Sequence, residues 1–249
     1  MVQAPRRTGF SGPTLVRLLA RLTDVDVPES GQSLSDRLSL WLGWTDAIAL
    51  AAVLDGKPPA MAPGGPTFDS EQDRESLKLR TTLADAIASD TEFTAARPRG
   101  RQPPSRTQAM PKAPTDADYS SFRQRYLSLQ HTMENGIGGL RSRLRGMLAG
   151  RNPEMTRLAM VDAIMERSLS VRERALMTTI PTLLGAHFER LRKAEQSAQE
   201  EAEAAEMPPP AKPGAWLDTF RKDMRSVLLA ELDIRFQPVE GLLAALRTR

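Results

Sequence analysis

Apolar residues fall at steps of three and four through most of the chain, the spacing that lines one face of an α-helix. A first short helix starts at Ser11-Gly12-Pro13, where proline fits an early helical position, and puts Leu15, Leu18, Leu19 and Leu22 on one face. After a break from Asp24 to Gly31, a second helix opens at Ser33, with Asp36 three residues on as an acidic capping box. It carries Leu34, Leu38, Trp41, Leu42, Ile48, Ala52 and Leu54, and the two together read as a helical hairpin. Gly56 to Pro66 is too rich in proline and glycine to continue a helix. A third helix follows from about Asp69 to Asp90, with Leu77, Leu79, Leu83, Ala86 and Ile87 apolar.

The pattern resumes at Thr115, again with an acid, Asp118, three residues on. Phe122, Tyr126, Leu129, Met133, Ile137, Leu140, Leu144 and Met147 follow, and two consecutive steps of four at Met133 predict a nearly straight helix. Asn152-Pro153-Glu154 starts another in the order cap, proline, acid, carrying Leu158, Val161, Ile164, Met165 and Leu169. A long helix is predicted from Ser170 to about Glu206, kinked or jointed at Pro181. From Arg192 on it has good helix formers but nothing to bury, so its end is expected to project into solvent. Beyond Pro208-Pro209-Pro210, a final pair is predicted, from Ala215 to about Ile234 and from Pro238 to about Leu246.

The expected fold is therefore all-α, with helix-bundle modules joined by proline-rich linkers. Residues 1–90 form an N-terminal module, 91–114 a disordered basic linker, 115–206 a central module with the long helix, 207–214 a second linker and 215–249 a C-terminal helix pair. Composition agrees, because aromatics are only 5 % of the chain and a core of Leu, Ala, Met and Ile suits helices better than strands. A net charge of +3 gives no strong field. The absence of cysteine removes disulfides, thiolate nucleophiles and cysteine-held metals. No stretch is apolar over the roughly 20 residues a membrane span needs. Arg6-Arg7 resembles a twin-arginine signal, but Arg17 and Arg21 interrupt the apolar run such a signal requires, so the expected location is the cytoplasm.

Candidate chemistry is sparse. His131 and Glu134 lie three apart on a helix, a spacing seen in di-iron bundles, but in reversed order and only once, while His187 and Glu189 face different sides. No catalytic, cofactor-binding or metal residue is therefore assigned. Asn135-Gly136-Ile137-Gly138-Gly139 looks like a phosphate loop but lacks a preceding strand, so a hinge or a close helix crossing is the preferred reading. Arg141, Arg143, Arg145, Arg151 and Arg157 form the densest positive region, behind the basic linker with Arg97, Arg99, Arg101, Arg106 and Lys112. Paired or solvated charge is the preferred reading there, with nucleic-acid contact as the alternative. Trp41 and Trp44 are expected to fill the core of the N-terminal hairpin rather than to anchor an interface.

The blocks Arg7-Thr8-Gly9-Phe10-Ser11-Gly12-Pro13, Leu15 to Leu19, Asp26-Val27-Pro28 and Leu40-Trp41-Leu42-Gly43-Trp44-Thr45-Asp46-Ala47-Ile48, with Tyr126 to Arg145, resemble a family of uncharacterised proteobacterial proteins known as a domain of unknown function. The resemblance implies association with a proton-channel protein of the MotA/TolQ/ExbB type and an OmpA-like envelope protein, at the inner face of the membrane. The expected function is a non-enzymatic helical adaptor that binds protein partners and can self-associate. The segments Ser170 to Glu206 and Trp216 to Leu246 are its expected docking elements. The alternative is a nucleic-acid-associated protein acting through the basic linker and the arginine-rich helix.

Overall fold

The computed structural model describes residues 14–25, 31–56, 70–90, 93, 118–206 and 214–248, and every regular element among them is an α-helix. Their order is α1 (Thr14–Thr23), α2 (Leu34–Trp41), α3 (Trp44–Asp55), α4 (Ser70–Ala88), α5 (Tyr119–Ala149), α6 (Pro153–Met177), α7 (Ile180–Ala204) and α8 (Ala215–Arg247). Local chemistry sets several of the starts. Ser33 and Asp36 close a reciprocal capping box on α2, with the Asp36 N–H donating to Ser33 Oγ at 3.1 Å. Asn152 Oδ1 accepts the Met155 N–H at 2.8 Å, with Pro153 at the start of α6 where it costs no hydrogen bond.

Three boundaries differ from the sequence expectation. The helix expected from Ser33 to Leu54 divides at Leu42-Gly43, both extended, and Gly43 becomes the N-cap of α3. No break occurs at Ser170, which lies inside α6; the break falls at Thr178-Thr179, at the joint expected of Pro181, which needs no N–H partner in the first turn of α7 and so favours a start just before it. The C-terminal pair is one helix, α8, which runs through Pro238. Proline costs a helix interior about 3 kcal/mol, but Phe236, Val239, Leu242 and Leu243 around it are buried. Fully burying such side chains contributes about 1.5–3 kcal/mol each, enough to hold the helix together.

One core joins α1, α4, α5, α6, α7 and α8. The face of α5 carrying Tyr126, Met133, Leu140 and Leu144 packs along the face of α8 carrying Phe220, Met224, Leu228 and Phe236. At one end Phe188 of α7 sits edge-on to Trp216 and Phe220, with ring centroids 4.9 and 5.0 Å away. Among the described residues, α1, α2, α3 and α4 close no core of their own. α1 lies on α7 and α8, where Arg190 donates to the Leu22 carbonyl and Arg21 pairs with Asp223 at 3.5 Å. α4 lies on α5 and α8, where Arg80 bridges Asp233 at 2.6 Å and Glu240 at 2.5 Å. α3 packs on α6.

Phe93, inside the segment expected as a linker from 91, is fully buried in this core, and its N–H donates to the Asp90 carbonyl at 3.1 Å. The remaining basic linker, the proline run at 207–213, the start at Ser11 to Pro13 and the Pro28 break lie outside the described residues. The polar end of α7 is exposed over most of its length, yet Glu195 accepts the Gly214 N–H at 2.9 Å and Ala202 is buried. That end is thus tied back to the start of α8. Among the described residues, no helix is long and apolar enough to cross a membrane.

Candidate functional site

A groove of about 520 Å³ opens where α2, α5, α6 and α8 meet. Two backbone features shape it. Gly138 withdraws the α5 wall, since a Cβ added there would meet nothing within 4 Å, and Pro238 stands in the α8 wall. Trp41, at the end of α2, closes one side. The apolar lining comes from Ile137, Leu169, Leu176, Met177 and Ile234. The volume suits a drug-sized molecule or two or three side chains of a docked segment.

The polar rim is charged on both signs. Arg141 pairs with Asp162 at 2.6 Å, Arg174 with Glu134 at 2.7 Å, and Arg172 stacks its guanidinium over the Trp41 ring at 4.8 Å. Arg235 reaches both Glu173 at 3.4 Å and Glu231 at 2.9 Å. Ser170 offers the hydroxyl in this wall and donates it to the Arg167 carbonyl at 3.2 Å.

Behind the wall, Glu231 is fully buried. Its carboxylate accepts the Tyr126 hydroxyl at 2.7 Å, the Gln130 amide at 3.0 Å and the Arg235 guanidinium at 2.9 Å. Gln130 also donates to the Met177 carbonyl at 3.2 Å, which fixes the end of α6 at the groove. Burial, then the neighbouring Glu231 charge, hold the Tyr126 phenol well above its ordinary pKa, so it remains a donor. Such a network sets the position of the wall because each member is satisfied only in one arrangement. Sequence reasoning missed it, although Glu231 and Arg235 are spaced i, i+4 and Glu231 falls on the apolar stripe of α8 between Leu228 and Leu232. A carboxylate on such a stripe, four residues from an arginine, is the signal that could have found it.

The residues singled out in the sequence are scattered. His131 is exposed and bonds Asn135 at 2.9 Å, while Glu134 turns to Arg174. His187 is buried, bonded to Asp223 at 2.9 Å and Arg190 at 3.1 Å, and Glu189 pairs with Arg192 at 2.6 Å. Among the described residues, no group of three or more His, Cys, Asp or Glu side chains is placed to hold a metal ion. The Asn135 to Gly139 cluster lies within the unbroken α5, and at Gly136 the α4 side chain Leu79 comes within 3.2 Å of where a Cβ would sit.

The dense arginines are engaged within the chain. Arg143 pairs with Glu75, Arg145 with Asp162 and Glu166, Arg151 donates to the Leu246 carbonyl and Arg157 to the Gly56 carbonyl at 3.2 Å. Two expectations are corrected. Trp41 and Trp44 do not fill a hairpin core, because α3 lies on α6 rather than on α1, leaving Trp44 82 % exposed. The segment Trp216 to Leu246 is not a free docking element, because it is the most buried helix among the described residues. A family model described as a protein of unknown function, DUF3348, matches residues 1–248. No curated protein and no solved structure matches the chain.

Proposed function

Because the chain belongs to the family described as protein of unknown function DUF3348, its role has to be read from its own surface, and we propose that it is a non-enzymatic helical adaptor that seats an apolar segment of a partner protein in the groove. The observation that carries this reading is the groove itself: an apolar floor under a rim of paired charges, on a wall held by the Glu231 network. Leu176 stands 57 % exposed at its edge, where an amphipathic helix or extended segment would cover it. The family resemblance directs the choice of partner to a cytoplasmic segment of an inner-membrane proton channel of the MotA/TolQ/ExbB type, with the chain peripheral to the membrane. The nucleic-acid alternative draws less support, since Arg141, Arg143 and Arg145 of α5 are paired with carboxylates and Arg151 donates to the Leu246 carbonyl.

The test is affinity purification from the native host after nuclease treatment, from membrane and soluble fractions, with the wild type and Gly138→Phe compared. The phenylalanine fills the groove from a position with open space around its Cβ. The expected result is a channel or envelope protein recovered from the membrane fraction with the wild type and lost with the variant. Equal recovery with both would remove the groove from the mechanism. Soluble, nuclease-sensitive partners alone would favour nucleic acid.

A further inference from the structure

The outer face of α3 is unlike any other surface helix here. Its inner side, Asp46, Ala49, Leu50 and Val53, is half-buried where the helix lies on α6. Its outer side, Trp44, Ala47, Ile48, Ala51, Ala52 and Leu54, is exposed, with Asp55 as its one charge. A helix that is apolar all round is normally covered all round. The residues Trp44, Ile48, Ala51 and Asp55 follow steps of four, three and four along the centre of the exposed face, the spacing of a helix–helix seam.

We propose that this face is covered by the α3 helix of a second copy of the chain, paired antiparallel across a two-fold axis. The pattern is self-complementary in that arrangement. Reversing the helix about a point between Ile48 and Ala51 sets Ile48 over the partner copy's Ala51, Ala51 over its Ile48, and Trp44 over its Ala52 and Asp55. Large meets small at each step, which lets two helices approach closely. A two-fold pair demands this kind of self-matching patch.

Charge complements the shape. At the Trp44 end, Arg167 is paired with Asp46 at 3.4 Å while Arg172 stacks on Trp41, so two guanidiniums stand there against one carboxylate. At the opposite end, Asp55 is exposed, and the nearby Arg157 is committed to the Gly56 carbonyl. Antiparallel pairing brings Asp55 of each copy to the basic end of the other, and α3, about 18 Å long, spans the distance between them. A lipid surface fits poorly, because α3 itself carries no lysine or arginine and its exposed face ends in Asp55, which anionic headgroups repel. One helix pair is a small interface, so a weak dimer is expected and is sought in the micromolar range. This inference goes beyond the adaptor reading and shares with the groove only the Arg172–Trp41 wall. Together the two give a dimer that presents two grooves.

Sedimentation equilibrium of the purified full chain across the micromolar range tests it. The wild type is expected to rise from 27.4 kDa toward twice that mass, Ile48→Glu to remain at the mass of one chain, and Asp55→Arg to raise the dissociation constant about tenfold. Both positions are exposed, so circular dichroism is expected to show unchanged helix in each variant. The chain has no cysteine, which allows a register test: a mixture of Ile48→Cys and Ala51→Cys chains is expected to cross-link on oxidation, and neither alone. A wild type that stays monomeric, a dimer indifferent to Ile48→Glu, or cross-linking of either single variant overturns the proposal.

Discussion

Gly138 and Gly185 both sit inside helices, yet their surroundings assign them opposite roles. A Cβ at Gly138 meets open space, whereas one at Gly185 would lie 2.8 Å from the Tyr119 ring. Gly138→Ala is therefore expected to stabilise the fold by about 0.5–1 kcal/mol, the helix-interior cost of glycine. Gly185→Ala is expected to destabilise it by roughly 1–3 kcal/mol through overpacking. Urea unfolding of the two variants checks both signs. Glu231 offers a second test at this scale. Removing it leaves the Arg235 charge, only 10 % exposed, without its nearest carboxylate and leaves the Tyr126 hydroxyl unpartnered. Glu231→Ala is expected to cost about 3–5 kcal/mol, and Tyr126→Phe about 1.5–3 kcal/mol for one hydrogen bond to a charged group. A Glu231→Ala loss no larger than that of Tyr126→Phe would show that the buried charge is not what holds the network.

Among the elements, α8 has the most consequence, because α1, α4, α5 and α7 all pack on it. A chain ending at Met207 is accordingly expected to lose cooperative thermal unfolding rather than to retain folded helices without a docking arm. A sharp calorimetric transition in that truncation would contradict the shared core. The stripes of α5 and α8 were legible in the sequence because steps of three and four need no partner to be recognised, and the all-α fold followed from them. Element boundaries were less legible where two weak local effects compete. Gly43 ended a helix that its apolar neighbours would have continued, while Pro238 failed to end one, since the side chains on both sides of it are buried. The groove was not legible at all. Trp41, Gly138, Leu176 and Pro238 are separated by tens of residues, and only the packing of α6 and α8 on α5, with Arg172 of α6 over Trp41, brings them together.

At the scale of the whole molecule, the chain's two tyrosines report on whether the core acts as one unit. Tyr119 donates to the Pro181 carbonyl and sits against Phe188 and Phe220, and burial pushes its phenol up to about 12, with Arg123 pulling weakly the other way. Tyr126 is raised by burial and by the Glu231 charge. In the unfolded chain both ionise near a pKa of about 10. The folded state therefore holds its phenolic protons to higher pH than the unfolded state does. Stability from this source is complete below pH about 10 and is lost as pH rises from there toward the folded pKa near 12 for Tyr119, the unfolded state binding fewer protons over that interval. Because the two rings lie on one helix, α5, with Tyr119 against α7 and α8 and Tyr126 bonded to Glu231 of α8, loss of either contact exposes the same core. The expected outcome is a single alkaline transition in which tyrosinate absorbance at 295 nm rises together with the loss of helical circular dichroism. Tyrosinate appearing near pH 10 with the helix signal intact would mean that at least one ring is solvated while the bundle stands. The end of α5 that carries Tyr119 would then open independently of the packing between α5 and α8.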